Sequence, residues 1–148
     1  MEIRPIRPDE VRQALPLFAG YQRFYEVEQP DDDRNLAFFS RFCEPSDEGL
    51  LLGAWDGDDL IGFANLYWFF SSTLAEDVAL MNDLFVVEGA RRGGIGRALI
   101  QAAADAARAR GLHHLLWETA PDNATAQRVY DATGAERSEW VAYDLTVD

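Results

Sequence analysis

Apolar and polar residues follow one another along the first half of the chain in a pattern typical of strands. Alternation over residues 2–7 predicts a first strand. Apolar runs over 49–55 and 60–70 predict two more strands, and the polar turn 56–59 between them favours a hairpin. The first half of the chain is therefore expected to contribute three strands, two of them joined as a hairpin.

Between the first and second strands, apolar residues recur at helical spacing. Pro8-Asp9-Glu10 predicts the start of a helix, because a proline and two acids suit a first helical turn. Pro16 is expected to break or kink this helix, which continues to residue 27. After a loop over 29–33, a second amphipathic helix is predicted from the spacing of Leu36, Phe38, Phe39 and Phe42.

The second half of the chain alternates predicted strands and helices. In order, the pattern predicts a strand over 78–87, a helix over 94–110, a strand over 112–119, a helix over 123–132 and a last strand over 139–147. The strands on either side of the first of these helices are expected to be parallel neighbours, with the helix crossing over between them. The whole order predicts one α/β domain.

The segment that joins the strand over 78–87 to the next helix has the composition of an anion site. Two arginines and three glycines lie there, and the glycines let a phosphate approach the main chain. Unpaired N–H groups and the helix dipole add partial positive charge at the start of the helix. The segment therefore predicts a pyrophosphate site, although a glycine-rich turn before a helix also has a purely structural interpretation.

A dinucleotide-binding fingerprint is the nearest alternative for this segment. That fingerprint needs a third glycine where Leu99 stands, and an acid at the end of the next strand. Glu118 does end the next predicted strand, so the alternative has some support. The missing glycine and the arginine pair ahead of the loop count against it.

Length, charge and cysteine content narrow the class of protein. The chain has 148 residues and a net charge of −13, and all 13 of its basic residues are arginine. This balance argues against a nucleic-acid partner and favours cationic ones, unless it reflects genome composition or a saline cytoplasm.

The single cysteine, Cys43, is expected to be a buried small residue in a cytoplasmic protein. No signal peptide or membrane span is predicted, and no metal site is expected around His113 and His114.

Two spaced motifs lie on these predicted elements. Arg91, Gly94 and Gly96 have the spacing Arg-x-x-Gly-x-Gly, and Asn123 is followed three residues later by Ala and seven later by Tyr130. With these motifs and its elements in this order, the chain resembles the GNAT superfamily of acetyl-coenzyme A (acetyl-CoA)-dependent N-acetyltransferases, whose signature is Gln/Arg-x-x-Gly-x-Gly/Ala. The early helix and the strand over 82–86 also look like the fungal histone and polyamine acetyltransferases and the diamine acetyltransferases.

The resemblance implies a fold and a cofactor site. The fold is a single-domain, mixed and mostly antiparallel sheet with helices on both faces, in which a central pair of parallel strands splays apart to hold coenzyme A (CoA). Main chain near Leu84, Phe85 and Val86 would pair with the pantetheine arm, whereas the side chains there are expected to belong to the core. The other implied contacts to acetyl-CoA are Arg91, Arg92, Gly93, Gly94, Ile95, Gly96, Arg97, Ala98, Asn123, Ala126 and Tyr130.

The resemblance also implies roles in acetyl transfer to a primary amine. Tyr130 is the implied general acid for the departing thiolate, and Asn123 is equally suited to being only a helix N-cap. Asp83 and Glu118 are candidates for the base, and are equally suited to substrate binding or to a structural hydrogen bond. An aromatic and acidic mouth for a cationic amine is a hypothesis for Tyr21, Tyr25, Glu26 and Glu28, although the two glutamates also suit a solvated helix face.

Acetyl transfer to a small cationic amine, such as a polyamine or an amino acid, is therefore the leading prediction, by a protein that the resemblance implies is a homodimer. Two alternatives stay open at this point. One is acetylation of lysine on a basic protein tail, and the other is an acyl-CoA-binding module that performs no reaction.

Overall fold

The computed structural model describes residues 1–44 and 46–148 and divides them into two compact units, Met1–Glu118 and Thr119–Asp148. The first unit contains all five strands and three of the α-helices. In chain order its elements are β1 (Glu2–Pro5), α1 (Val11–Phe24), α2 (Asp32–Phe39), β2 (Gly49–Asp56), β3 (Asp59–Ser71), β4 (Glu76–Val86), α3 (Ile95–Ala109) and β5 (Leu115–Leu116). The second unit contains α4 (Ala124–Asp131).

The five strands form one sheet in the order β1-β2-β3-β4-β5. The first three pairings are antiparallel, and β4 pairs in parallel with β5 after the α3 crossover. The predicted α/β fold class, with a mixed and mostly antiparallel sheet, is confirmed. The parallel pair is confirmed too, although it lies at the end of the sheet within the described residues rather than at its centre.

Helices cover both faces of this sheet, as predicted. On one face, Phe63 of β3 meets Phe18 of α1 edge to face, with ring centroids 5.0 Å apart. Its neighbour Gly62 points to the opposite face, where a Cβ atom would lie 3.4 Å from the side chain of Leu99 and 3.5 Å from that of Ile95, both in α3. Because successive residues of a strand face opposite sides, β3 lies between the two layers.

Local signals fix most element ends close to their predicted places. The Asp31 side chain accepts a hydrogen bond from the Arg34 N–H at 3.1 Å and begins α2. Gly57 and Gly111 take the left-handed conformation that the hairpin turn and the helix end require. The predicted break at Pro16 was wrong, because α1 runs through this residue with Ala14, Leu17 and Phe18 buried.

Of the two strand predictions near the end of the chain, one was too long and the other was wrong. The strand predicted over 112–119 is reduced to the two residues of β5, and 139–147 forms no strand. A strand exists only where a neighbouring chain segment supplies its hydrogen bonds, and none in the described part of the molecule does so for 139–147. Its apolar side chains are 79–93% exposed, namely Trp140, Val141, Tyr143, Leu145 and Val147.

Two further sequence predictions concern the burial of Cys43 and the presence of a membrane-spanning helix. Cys43 is buried, as expected, and burial raises the pKa of its thiol. Among the helices that the structure describes, none has the length and apolar character needed to span a bilayer.

Candidate active site

The glycine loop, which we define as residues 88–98, joins β4 to the first turn of α3. It begins with a short 3-10 helix, Glu88–Ala90, and then turns sharply. Arg92 and Gly94 both take left-handed conformations, with φ of 72° and 77°. A left-handed arginine is uncommon and costs conformational energy, and such residues cluster at ligand sites.

The start of α3 is open to a ligand. The N–H groups of a first helical turn have no hydrogen-bond partner within the helix. At α3 no side chain of the described residues caps them either. A Cβ atom placed on Gly94 or Gly96 would meet no atom within 4 Å. Free amides beside open space, at a helix N-terminus, fit the pyrophosphate that the sequence predicts there.

The side chains of the glycine loop have different surroundings. Arg91 folds back on β4, where its Nε donates to the Val86 carbonyl at 3.0 Å and its guanidinium lies 5.7 Å from the centre of the Phe85 ring. Arg92 and Arg97 are exposed, whereas Ile95 is buried in the core. Ile95 therefore has only its main chain to offer to a ligand.

The parallel strands separate beside this loop. In the described chain, β4 and β5 pair only at Ala79 with Leu115 and at Leu80 with Leu116. From Met81 to Val86, β4 pairs with β3 on one side, except at Asn82, and has no β5 partner on the other. This edge includes Leu84, Phe85 and Val86, whose main chain is predicted to pair with pantetheine. The Phe85 side chain packs against the core, as predicted.

A second group of polar side chains surrounds Asp83, on the face of the sheet that α1 covers. We call it the Asp83 cluster; its members are Tyr21, Tyr25, Asn65, Tyr67, Asn82 and Asp83. The pairing of β3 with β4 shifts register here, because Asn65 pairs with Asp83 while Leu66 pairs with Met81. Asn82 is thus the extra residue of a β-bulge, a feature that redirects neighbouring side chains.

The bulge supplies direct contacts to this cluster. The Asn82 side-chain amide donates to Oδ1 of Asp83 at 3.0 Å, and the Tyr21 hydroxyl donates to the Asn82 carbonyl at 3.4 Å. The Tyr21 ring meets that of Tyr25 at 5.0 Å and that of Phe85 at 6.3 Å. The Asp83 carboxyl therefore lies in a group of polar side chains and aromatic rings.

Asp83 is 4% exposed, which changes its chemistry. Burial raises the pKa of Asp83 above its ordinary value, and the polar groups of Tyr21, Asn82 and Asn65 lower it again in part. Burial and the charge of Asp83 raise the pKa of Tyr21 and Tyr25, and raise that of Tyr67 to about 12. The tyrosines therefore stay protonated as hydrogen-bond donors, while Asp83 is suited to proton exchange nearer neutral pH than an ordinary carboxyl.

The other predicted acids lie outside this cluster. Glu26 is exposed and takes the left-handed conformation that ends α1, while Glu28 is exposed in the following loop. Glu118 is exposed two residues beyond β5, and the described residues give it no hydrogen bond or ion pair. Of the four predicted acids, Asp83 alone is buried.

The second unit contains the other predicted motif. The Asn123 side chain accepts a hydrogen bond from the Ala126 N–H at 3.2 Å, so Asn123 is the N-cap of α4. Tyr130 lies one helical turn beyond Ala126 and is half-buried. The N-cap interpretation of Asn123 is confirmed; the cofactor contacts of this motif and the acid role of Tyr130 stay predictions.

Sequence reasoning missed three members of the Asp83 cluster, Asn65, Tyr67 and Asn82. Asn65 and Tyr67 lie in β3, far from Asp83 along the chain, and only the pairing of β3 with β4 brings them near. One signal was available, because Asn65 is a polar residue in an otherwise apolar strand. No group of three or more His, Cys, Asp or Glu side chains able to hold a metal ion occurs among the residues described.

Comparison with known proteins identifies the class. The model of the acetyltransferase (GNAT) family matches residues 14–135. An uncharacterized N-acetyltransferase of Bacillus subtilis, YhfO, is 34% identical over 99% of this chain and 98% of its own. The D-amino-acid N-acetyltransferase HPA3 of Saccharomyces cerevisiae is 32% identical over 86% of this chain and 80% of its own.

Solved structures agree with this assignment. The crystal structure of a probable acetyltransferase superimposes with a TM-score of 0.85 at 28% identity, covering 100% of this chain and 99% of the other. AAC(6')-Iy in complex with a CoA bisubstrate analog has the same fold, with a TM-score of 0.79 at 23% identity over 99% and 98% of the two chains. The chain belongs to the GNAT acetyltransferase family. It is an acetyl-CoA-dependent N-acetyltransferase.

Proposed function

We propose that this protein acts in the cytoplasm and transfers the acetyl group of acetyl-CoA to the primary amine of a small cationic acceptor, a polyamine or an amino acid. The observation that carries the proposal is the buried carboxyl of Asp83 together with Tyr21 and Tyr25, whose rings meet each other and whose pKa values the charge of Asp83 raises. A carboxylate and aromatic faces both attract an ammonium group. The lone buried Cys43 suits a reducing compartment.

The residues that would hold acetyl-CoA are mainly main-chain groups. The open amides at the start of α3 suit the pyrophosphate, Arg92 and Arg97 add positive charge nearby, and the free edge of β4 suits the pantetheine arm. Acetyl-CoA supplies the acetyl group as a thioester, whose C–S bond breaks as the amine nitrogen forms the new C–N bond. The Val86 N–H is proposed as a donor to the thioester carbonyl oxygen.

Two side chains are proposed to move protons. An alkyl amine with a pKa near 10.4 is almost fully protonated at neutral pH, so a base must first remove a proton from its nitrogen. Asp83 accepts that proton, directly or through water, and later passes it to solvent. Tyr130 donates its hydroxyl proton to the departing sulfur, since the pKa of an unperturbed tyrosine is close to that of an alkyl thiol. The nitrogen releases its second proton to solvent once the C–N bond has formed, and Tyr130 regains a proton from solvent.

A panel of amines tests the proposal. Thiol release from acetyl-CoA is measured with polyamines, D- and L-amino acids and basic peptides at equal concentration. We expect one class of small amine to be the best substrate. Preference for the peptides would favour the lysine acetyltransferase alternative, and acetyl-CoA binding without thiol release from any amine would favour the non-catalytic module.

A conservative variant tests the acid role of Tyr130. Tyr130→Phe removes one hydroxyl and is expected to lower kcat by roughly 10²–10⁴-fold with both substrates saturating. Tyr143→Phe is the matched control: it also removes one hydroxyl from a tyrosine of the same unit, keeps the aromatic ring and should leave kcat unchanged. Normal turnover by Tyr130→Phe would remove Tyr130 from this role.

We propose in addition that the protein is a homodimer. Val141, Tyr143, Leu145 and Val147 alternate along the 139–147 segment, which predicts one apolar face, and all are 79–93% exposed in the single chain. Such a face favours burial against a second copy. Sedimentation is expected to give twice the mass of one chain, and Tyr143→Glu to give one chain mass. A monomeric wild-type protein at micromolar concentration would contradict this.

A further inference from the structure

The first unit has two buried asparagines among its described residues, Asn35 and Asn65, and they differ in their hydrogen-bond partners. Asn35 in α2 exchanges two hydrogen bonds with Gln22 of α1, at 2.8 and 2.9 Å. Asn65 in β3 is 0% exposed, yet neither its side-chain nitrogen nor its oxygen has a hydrogen bond of ordinary geometry among the described residues. An unsatisfied buried amide lowers stability, so its presence calls for an explanation.

Asn65 lies where it can serve Asp83. The two residues are directly opposite each other in the antiparallel pairing of β3 with β4, an arrangement in which Cβ atoms lie about 4.5–5.5 Å apart. The register shifts immediately after Asn65, and the bulged residue Asn82 donates to Oδ1 of Asp83. The Asn65 carboxamide is near enough to this carboxyl for its polar group to lower the pKa of Asp83.

A carboxamide suits a carboxyl group that gains and loses a proton. Its NH₂ group donates to an ionised carboxylate, and its oxygen accepts from a protonated carboxyl. The other groups that interact with Asp83 are Tyr21 of α1, Tyr25 at the C-cap of α1, Tyr67 of β3 and Asn82 of β4. No arginine is among the groups that shift the pKa of Asp83 in the described chain.

We propose that Asn65 is a positioning residue of the reaction, whose carboxamide orients the Asp83 carboxyl and favours its ionised, proton-accepting form. The proposal rests on the proposed role of Asp83 as the base. The lowering of the Asp83 pKa by the polar group of Asn65 agrees with it in sign. No other residue of β3 pairs directly with Asp83.

The test is the pH dependence of kcat/KM for the best amine in wild type and in Asn65→Leu. Leucine keeps the branch at Cγ and removes both polar atoms. The acid limb of the profile is expected to move to higher pH by roughly one unit. At pH values on this limb kcat/KM should fall about tenfold, and at pH values above it kcat/KM should change little. NMR titration of the Asp83 carboxyl carbon should show the same upward shift without substrate.

Two other variants separate positioning from structure. Asn35→Leu breaks the Asn35–Gln22 pair and is expected to lower Tm without moving the acid limb. Asn65→Ser keeps a donor and an acceptor and should retain more of the wild-type profile. If Asn65→Leu does not fold, Asn65→Val takes its place. An Asp83 titration unchanged in the folded variant would overturn the proposal.

Failure of the proposed function gives a different result. If Asp83 is not the base, Asp83→Asn keeps the wild-type acid limb. If Asp83 is the base and Asn65 does not position it, Asp83→Asn loses activity whereas Asn65→Leu leaves the carboxyl titration unmoved.

Discussion

The glycine loop and the Asp83 cluster are neighbours along β4, yet they are built in opposite ways. The loop presents main-chain amides and exposed arginines to open space, and a Cβ atom on Gly94 or Gly96 would touch nothing. The cluster presents side chains, and its central carboxyl is 4% exposed. The first region is the proposed site of acetyl-CoA, and the second is the proposed site of the amine.

The same contrast explains what the sequence could predict. A main-chain site needs glycines at fixed spacing before a helix, so Gly94 and Gly96 could be identified from a contiguous motif. A side-chain site depends on strand register, and a single bulged residue, Asn82, decides which side chains meet Asp83. Asn65 and Tyr67 therefore could not be assigned to the cluster from the sequence.

Of the substitutions that distinguish the two regions, one at Asp83 is expected to have the largest effect on kcat/KM. Asp83→Asn is expected to lower kcat/KM for the amine by roughly 10²–10⁴-fold, because the proton acceptor is lost. Stability should change in the opposite direction. The folded protein raises the pKa of this carboxyl, so ionisation destabilises the fold as pH rises through the ordinary carboxyl range towards the raised value.

Thermal unfolding measures the stability half of this prediction. At neutral pH the neutral amide removes the cost of a buried charge, and Tm is expected to rise by roughly 2–4 °C. The gain should vanish below the ordinary pKa of an aspartate, where the wild-type carboxyl is protonated in both states. A variant that loses activity because it loses stability would contradict this account.

The next effect is expected at the loop. Gly96→Leu places a side chain in the open space at the first turn of α3 and should raise the KM for acetyl-CoA by roughly 10–100-fold, equivalent to about 1.4–2.8 kcal/mol of binding. Because leucine favours a helix more than glycine does, Tm should not fall. The matched control is Gly89→Leu, since Gly89 also has open space around it but precedes the predicted pyrophosphate contacts. Equal losses of acetyl-CoA affinity in both variants would argue against a specific pyrophosphate site at the first turn of α3.

The smallest effect on the KM for either substrate is expected from a change at Glu10, which belongs to neither region. Glu10 accepts two hydrogen bonds at 2.9 Å from the guanidinium of Arg4 and one at 2.9 Å from the Arg7 N–H. Glu10→Gln is expected to cost roughly 1–3 kcal/mol of stability at neutral pH and to leave both KM values unchanged. It shows whether lost stability alone disturbs catalysis.

The pH dependence of that loss has a definite sign. The Arg4 guanidinium, with help from Arg7, lowers the pKa of Glu10 from 4.5 to about 2. The stability from Glu10 is thus fully present above pH 4.5 and lost as pH falls to about 2. Chemical denaturation across this range should show a steeper acid loss in wild type than in Glu10→Gln, and parallel curves would be evidence against the ion pair.

The remaining errors of prediction share one physical cause. Pro16 does not end α1, because the packing of Leu17 and Phe18 in the core outweighs one lost backbone hydrogen bond. The 139–147 segment has the alternation of a strand without a partner to pair with in the described chain. In both places tertiary contacts, or their absence, override a local pattern.

Calorimetric titration of acetyl-CoA into Asp83→Asn and Gly96→Leu tests the division between the two regions most directly. Asp83→Asn is expected to bind acetyl-CoA within about twofold of wild type, and Gly96→Leu at least about tenfold more weakly. Equal weakening in both variants, or weakening in Asp83→Asn alone, would contradict the separate construction of a main-chain cofactor site and a side-chain acceptor site.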